Sequence, residues 1–445
     1  MPRLLTCLAA IILALLMLPT AGWTDSTGTA GEQALVFLQQ LRDGKFTEAV
    51  STFDSTMASQ LSAAQLERLW ISIPQQVGEL RNIGTPHTID QPPYTLVTTR
   101  LDFELTSLNA QMTYRANGEV AGLFFVAAED KSESVDPAYV DRSLFTESEI
   151  TFGEAEWELP GTLSLPNTPG PLPTVILVHG SGPNDRDETI GPNKPFRDIA
   201  CGLASRGIAA LRYDKRTRVY GEKFILNPGY TVREEVMEDV LAAVDYLKEH
   251  GQVDPGRIYM LGHSLGAMLA PRIAAECPDL AGIVVVAGAA RPLEDLILEQ
   301  MTYIDSLSVA EGQPSQLDLA DLQVRVARVR ALSLDQHPPA TDLPLDIPAP
   351  YWLDLRYYAP VDVAAQLELP MLIIQGARDY QVTIEDFGIW ASTLEGRDNA
   401  TLTLYPTLNH LMISGSGKSK PSEYTTPGHV DKQVIEDIAG WIQAH

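Results

Sequence analysis

The chain has 445 residues, 45% of them hydrophobic and 20% charged, with 32 Lys+Arg against 58 Asp+Glu and a formal net charge of −26. This is ordinary globular composition, which excludes a disordered or fibrous chain, and the length exceeds one hydrophobic core, so two domains are expected. The acidic surface repels phosphate backbones and argues against a nucleic-acid partner.

Arg3 is followed by an apolar run from Leu4 to Leu18, then Pro19 and the small residues Thr20, Ala21 and Gly22. That order is a secretory signal peptide over residues 1–22, with cleavage after Ala21 or Gly22 and export to a periplasmic or extracellular space. The run is short for an uncleaved membrane anchor, so no stable membrane insertion is expected after cleavage. Cys201 and Cys277 remain in the mature chain.

From Gly31 to about Val126 the pattern predicts a small α+β domain. Apolar residues at helical spacing, interrupted at Gly44, give two or three short helices. "YTLVTTRLDFELTSLNAQMTYRANGEVAGLFFV" then alternates and turns at Asn117-Gly118, a pair that tolerates positive φ. A polar stretch reads as a linker over 127–149.

From residue 150 to the C-terminus the texture changes. "PTVILVHG", "GIAALRYD", "RIYMLGHS", "AGIVVVAG" and "LPMLIIQG" are short apolar runs bounded by Gly and Pro. They read as parallel strands buried on both faces. Helical stretches at Phe196–Arg206, Val232–His250 and Leu265–Glu276 separate them, which predicts a doubly wound α/β sheet. The segment 291–346 interrupts the rhythm and reads as a helical insertion over the strand ends. Beyond it, "PAPYWLDLRYYAP" carries Tyr351, Trp352, Tyr357 and Tyr358, read as packing at a seam rather than as the lining of an acyl pocket.

"GHSLG" places Ser264 between Gly262 and Gly266, after a predicted strand and at the start of a predicted helix. That is the setting of a nucleophile elbow, in which serine sits on a strained strand-to-helix turn. A serine hydroxyl needs a base, and the base needs an orienting acid, in the chain order Ser, Asp, His. Asp379 follows the strand ending "LIIQG". Glu385 and Asp386 are poorer candidates because they open a helix, where acids stabilise the N-terminus. Of the histidines beyond, His445 ends the chain, His429 lies in a Gly/Ser/Lys/Pro-rich loop, and His410 follows a predicted strand Thr401–Tyr405. His410 is the expected base and His429 the runner-up. Two N–H donors must meet an oxyanion: Leu265, next to the nucleophile, and Ser181 in the Gly-rich turn "HGSGPNDRDE". His179 is expected to orient that loop. No His-Glu-x-x-His and no phosphate loop occurs, so neither metal nor cofactor is expected.

Residues 150–445 resemble the α/β-hydrolase superfamily. "HGSGPNDRDETIGPNKPFRDIACGLASRGIAALRYDKRT", with "GHSLGAMLAPRIA" and "QGARDYQV", is similar to two-domain bacterial carboxylesterases in which a nuclear-transport-factor or cystatin-like α+β domain precedes the hydrolase. The resemblance implies Ser264 as nucleophile, Asp379 as acid, His410 as base, a lid at 291–346, and hydrolysis of a small short- to medium-chain ester. A peptidase or thioesterase with the same triad is the nearest alternative, and a binding protein on a hydrolase scaffold a more distant one. In that fold the helices bearing Cys201 and Cys277 cover opposite faces of the sheet, so both thiols are expected to be free.

Overall fold

A computed structural model describes residues 29–77, 80–103, 107–128, 135–227, 229–310, 315, 318–336 and 338–445. The expected signal peptide, residues 1–22, lies outside them. The chain divides into two compact units between residues 134 and 135.

The first unit begins with helices α1 (Thr29–Arg42), α2 (Phe46–Val50), α3 (Ser55–Gln60) and α4 (Ala63–Val77). Strands β1 (Leu80–Gln91), β2 (Tyr94–Phe103), β3 (Ser107–Arg115) and β4 (Val120–Ala127) follow as an antiparallel meander in sequence order. The β3–β4 turn runs through Asn117 and Gly118, the glycine at φ +84°. Alternate residues of β2 (Val97, Leu101, Phe103) meet Phe37, Leu38 and Leu41 of α1 in one core. Asp54 caps α3 by accepting from Met57 N–H at 2.8 Å, and Arg115 Nε donates to its other oxygen at 2.7 Å.

The second unit holds an eight-stranded sheet: β5 (Phe145–Phe152), β6 (Leu159–Pro166), β7 (Leu172–Val178), β8 (Ala209–Tyr213), β9 (Val253–His263), β10 (Leu280–Val286), β11 (Met371–Gly376) and β12 (Ala400–Tyr405). Their spatial order is β12-β11-β10-β9-β7-β8-β6-β5. From β8 to β12 all neighbours are parallel, whereas β5–β6 and β6–β8 are antiparallel. The first two strands extend the sheet beyond the sequence expectation. β5 starts at Phe145, and Tyr139 OH already donates to Val430 O at 2.8 Å, so the second half of the stretch read as linker is part of this unit.

The apolar runs are buried on both faces because helices cover both. One face carries α8 (Glu238–Glu249), α9 (Leu265–Glu276), α13 (Pro360–Ala364) and α14 (Ile384–Thr393), and packs on Ile176, Val178, Met260, Ile283 and Ile373. The other carries α5 (Pro195–Ala204) and α15 (Lys432–Ala444) over Val175, Leu177, Leu261, Val284 and Ile374. Each such fully buried Val, Leu or Ile contributes about 1.5–3 kcal/mol relative to exposure. Short helices α6 (Arg216–Val219) and α7 (Gly221–Leu226) follow β8, and a π-helical turn, Arg233–Met237, leads into α8. Cys201 on α5 and Cys277 at the end of α9 are both free and buried.

The insertion between β10 and β11 comprises α10 (Leu293–Ala310), α11 (Leu319–Ala331) and α12 (Ala349–Arg356). It has its own small core of Ile297, Leu322, Val326, Val329, Trp352 and Leu353. The insertion therefore runs past the expected end at 346, because α12 closes that core. Trp352 is packing, Tyr351 is buried, and Tyr357 is exposed to solvent.

Candidate active site

The parallel strands end together, and the loops after β7, β8, β9, β11 and β12 hold the candidate residues. Between β9 and α9, Ser264 adopts φ 53°, ψ −113°. That conformation costs a non-glycine residue about 1–3 kcal/mol and persists only where neighbours enforce it. The enforcement is visible: Ser264 N–H donates to Val286 O at 3.0 Å and Gly266 N–H to His179 O at 3.1 Å. A Cβ on Gly262 would sit 2.3 Å from Gly266 O, and one on Gly266 2.4 Å from Val178 O. Both glycines are required by close backbone approach, so the motif is a turn locked against β7.

Asp379 and His410 are brought together. His410 Nδ1 donates to Asp379 Oδ2 at 2.6 Å, and both residues are almost fully buried. A carboxylate only accepts, so the proton is on Nδ1 and the Nε2 lone pair is left for a substrate-side proton. Asp379 Oδ1 also accepts from Gln381 N–H at 2.7 Å and Val382 N–H at 3.2 Å, and Oδ2 from Gln375 Nε2 at 3.1 Å. The acid is therefore held on every side. The ring of His263, the residue before Ser264, packs against that of His410, with centroids 4.6 Å apart and planes tilted by 50°. Ser264 Oγ makes no hydrogen bond to another described residue, so the Ser264–His410 step is open in this conformation.

The poorer candidates lie elsewhere. Asp386 accepts from the Ala290 and Arg291 N–H groups and pairs with the Arg291 guanidinium, which ties the root of the insertion to α14. Glu385 pairs with the same arginine. His429 contacts Asp198 of α5 at 3.1 Å, and His445 bonds Trp441 O on α15.

The loop after β7 is built to present backbone donors. His179 Nε2–H donates to Asp185 O at 3.0 Å, and burial pushes its pKa down to about 4, so the ring is neutral. Gly180 N–H donates to Glu188 Oε1 at 2.6 Å, and Asn184 Nδ2 donates to Gly180 O and Ser181 O at 3.2 and 3.0 Å. Among the described residues, the Ser181 and Leu265 N–H groups meet no acceptor, as two oxyanion donors should.

Sequence reasoning missed the buried charges beneath this loop. Glu188, at φ 50° and 2% exposed, lies 2.9 Å from His263 Nδ1, an ion pair more than a well-aligned hydrogen bond. Burial opposes charge on both groups, yet the mutual attraction outweighs it: the Glu188 pKa is lowered and that of His263 raised. Lys215 donates to Gly180 O at 2.8 Å and to Glu235 Oε1 at 2.5 Å, and Tyr351 OH donates to Glu235 Oε2 at 2.8 Å. The available signal was "RYDKRT", three cationic residues crowded around the end of an apolar strand.

Comparisons with known proteins agree with this architecture. Residues 173–416 match the family described as "Serine aminopeptidase, S33", and residues 34–123 match "Protein of unknown function (DUF3887)". The chain belongs to the S33 family of α/β hydrolases. It is 44% identical over 416 residues to Esterase EstD of Thermotoga maritima, spanning 93% of this chain and 96% of that one. It is also 22% identical to Acylamino-acid-releasing enzyme 1 of Oryza sativa, over 61% of this chain and 30% of that protein. Among solved structures, Est1E from Butyrivibrio proteoclasticus aligns with a TM-score of 0.44 and 19% identity, over 67% of this chain and 99% of its own.

Proposed function

We propose that the protein is a serine carboxylesterase acting on small short- to medium-chain esters. His410 Nε2 takes the proton of Ser264 as Oγ attacks the ester carbonyl, and the Ser181 and Leu265 N–H groups receive the developing oxyanion. The protonated His410 then delivers its proton to the departing alcohol oxygen. Water, deprotonated by the same nitrogen, releases the acid and restores Ser264. Asp379 keeps the imidazole in the Nδ1–H tautomer and stabilises the imidazolium. The reading is carried by the 2.6 Å His410–Asp379 bond at the strand ends beside a serine of positive φ, and supported by the extent of likeness to Esterase EstD. It also takes residues 1–22 as an export leader, which N-terminal sequencing of the secreted product tests.

The experiment is hydrolysis of p-nitrophenyl esters, acetate through palmitate, by the wild type and Ser264→Ala. Activity on the shorter chains that disappears in a folded Ser264→Ala supports the proposal. Full activity in Ser264→Ala overturns the site. Hydrolysis of aminoacyl anilides or thioesters, but of none of the esters, keeps the triad and replaces the substrate class.

A further inference from the structure

We infer that Lys215 is a positioning residue of the oxyanion hole: its buried ammonium polarises the Gly180–Ser181 peptide and makes the Ser181 N–H a stronger, fixed donor. The inference rests on the assignment of Ser181 as an oxyanion donor made above.

The carbonyl of Gly180 and the N–H of Ser181 belong to one resonant amide. A cation bonded to its oxygen draws electron density from its nitrogen, and the N–H becomes more positive. Lys215 occupies that position, with Nζ 2.8 Å from Gly180 O and a side chain only 3% exposed, so water does not screen the effect. Chain topology explains the juxtaposition. β7 and β8 are parallel neighbours, Gly180 lies two residues beyond the end of β7, and Lys215 two beyond the end of β8. The Lys215 N–H additionally donates to Asn184 O at 3.1 Å, which binds the two loops by their backbones.

A buried lysine is costly without a counter-ion, and Glu235 supplies it. Glu235 lies on the π-helical turn before α8 and is itself held by Tyr351 OH. The ammonium bridges the carboxylate and the Gly180 carbonyl, so the pair turns its positive end toward the peptide. The preceding amide is committed elsewhere, because Gly180 N–H is taken by Glu188. The loop thus withholds one N–H, leaves the next without an acceptor among the described residues, and places a cation on the carbonyl of that second amide. A lysine serving only to anchor the loop would act equally on ground state and transition state, whereas polarisation acts where charge develops.

The full chain is tested as Lys215→Met, Lys215→Gln and Lys215→Arg, with thermal unfolding as a check of fold. The readouts are kcat and KM on a p-nitrophenyl ester, affinity for a trifluoromethyl ketone, and the carbonyl stretch of the acyl-enzyme. For Lys215→Met we expect kcat to fall about ten- to hundredfold, below the loss of a whole donor, with KM within about threefold. Ketone affinity falls in parallel, and the acyl carbonyl stretch moves to higher frequency as its donor weakens. Lys215→Arg keeps a cation and recovers most of kcat. If Lys215→Met does not fold, Lys215→Gln, which retains a neutral donor, decides the matter. A folded Lys215→Gln with wild-type kcat and carbonyl stretch overturns the inference, as does a loss appearing equally in substrate and ketone binding. Full activity in Ser264→Ala would instead overturn the site, so the two failures are distinct.

Discussion

His263 Nε2 donates a 3.0 Å hydrogen bond to the carbonyl oxygen of His410, so the residue preceding the candidate nucleophile holds the backbone of the candidate base. The opposite nitrogen of the same ring faces Glu188, whose other oxygen holds Gly180 N–H. One imidazole thereby joins the turn at Ser264, the loop of the candidate base and the loop of the candidate oxyanion donor.

The Glu188–His263 pair has a defined pH window. The Glu188 pKa is lowered, so its contribution to stability is present above the unfolded carboxyl value of about 4.3 and lost as pH falls through the folded value. The His263 pKa is raised, so its contribution is full below about 6.5 and lost as pH rises through its folded value. Glu188→Gln keeps an acceptor for Gly180 N–H but removes the charge, and should cost about 3–5 kcal/mol as a broken buried pair. The melting-temperature gap from wild type should be widest between pH 4.5 and 6.5 and should narrow on the alkaline side. A pH-independent gap would contradict the assignment of charge.

His179 predicts an acid sensitivity of the opposite origin. It stays neutral in the fold down to about pH 4, whereas the unfolded chain protonates it near 6.5. Stability should therefore fall by roughly 3 kcal/mol as pH drops through that interval. His179→Asn retains an N–H for Asp185 O and should show a flatter melting profile from pH 7 to 4, though starting lower.

Asp379 and Asp386 are both buried and should separate cleanly. Asp379→Asn should leave the fold intact and lower kcat by about 10⁴-fold, because the histidine loses its tautomer control. Asp386→Asn weakens the tie between Arg291 and α14, although Glu299 and Glu385 still pair the guanidinium, and should lower stability by about 1.5–3 kcal/mol while the folded fraction keeps wild-type turnover. Kinetics normalised to folded protein, paired with melting curves, distinguish the two.

Gly266→Ala places a methyl 2.4 Å from Val178 O and 2.7 Å from His179 O, both backbone atoms that cannot yield. The substitution should cost at least about 1–3 kcal/mol and displace the elbow from β7, with activity falling further than stability. Equal activity per folded molecule would show that the turn tolerates a looser seat.

The strands that lead to Ser264 and Asp379 were legible because each is a short, mostly apolar run bounded by glycine, the pattern expected of a sheet covered on both faces. β5 was not: in "FTESEITF" only the two terminal phenylalanines are buried, so neither alternation nor a run appears. The end of the insertion was misjudged because Trp352 and Leu353 pack on α11, a contact invisible to local pattern. Glu188, His263, Lys215 and Glu235 escaped notice for a related reason. Charged residues in loops and at the ends of elements are ordinarily solvated, and these are buried by segments distant in sequence, the carbonyl of His410 and the hydroxyl of Tyr351 among them.

Cys201 and Cys277, free and buried on helices over opposite faces of the sheet, have a consequence for the response to reductant. Burial pushes the Cys201 thiol up to about 12 and raises that of Cys277, so neither offers a thiolate for exchange. The described residues of the hydrolase unit hold no covalent staple, so packing and hydrogen bonding alone carry its topology, and a reducing agent should leave its melting temperature unchanged.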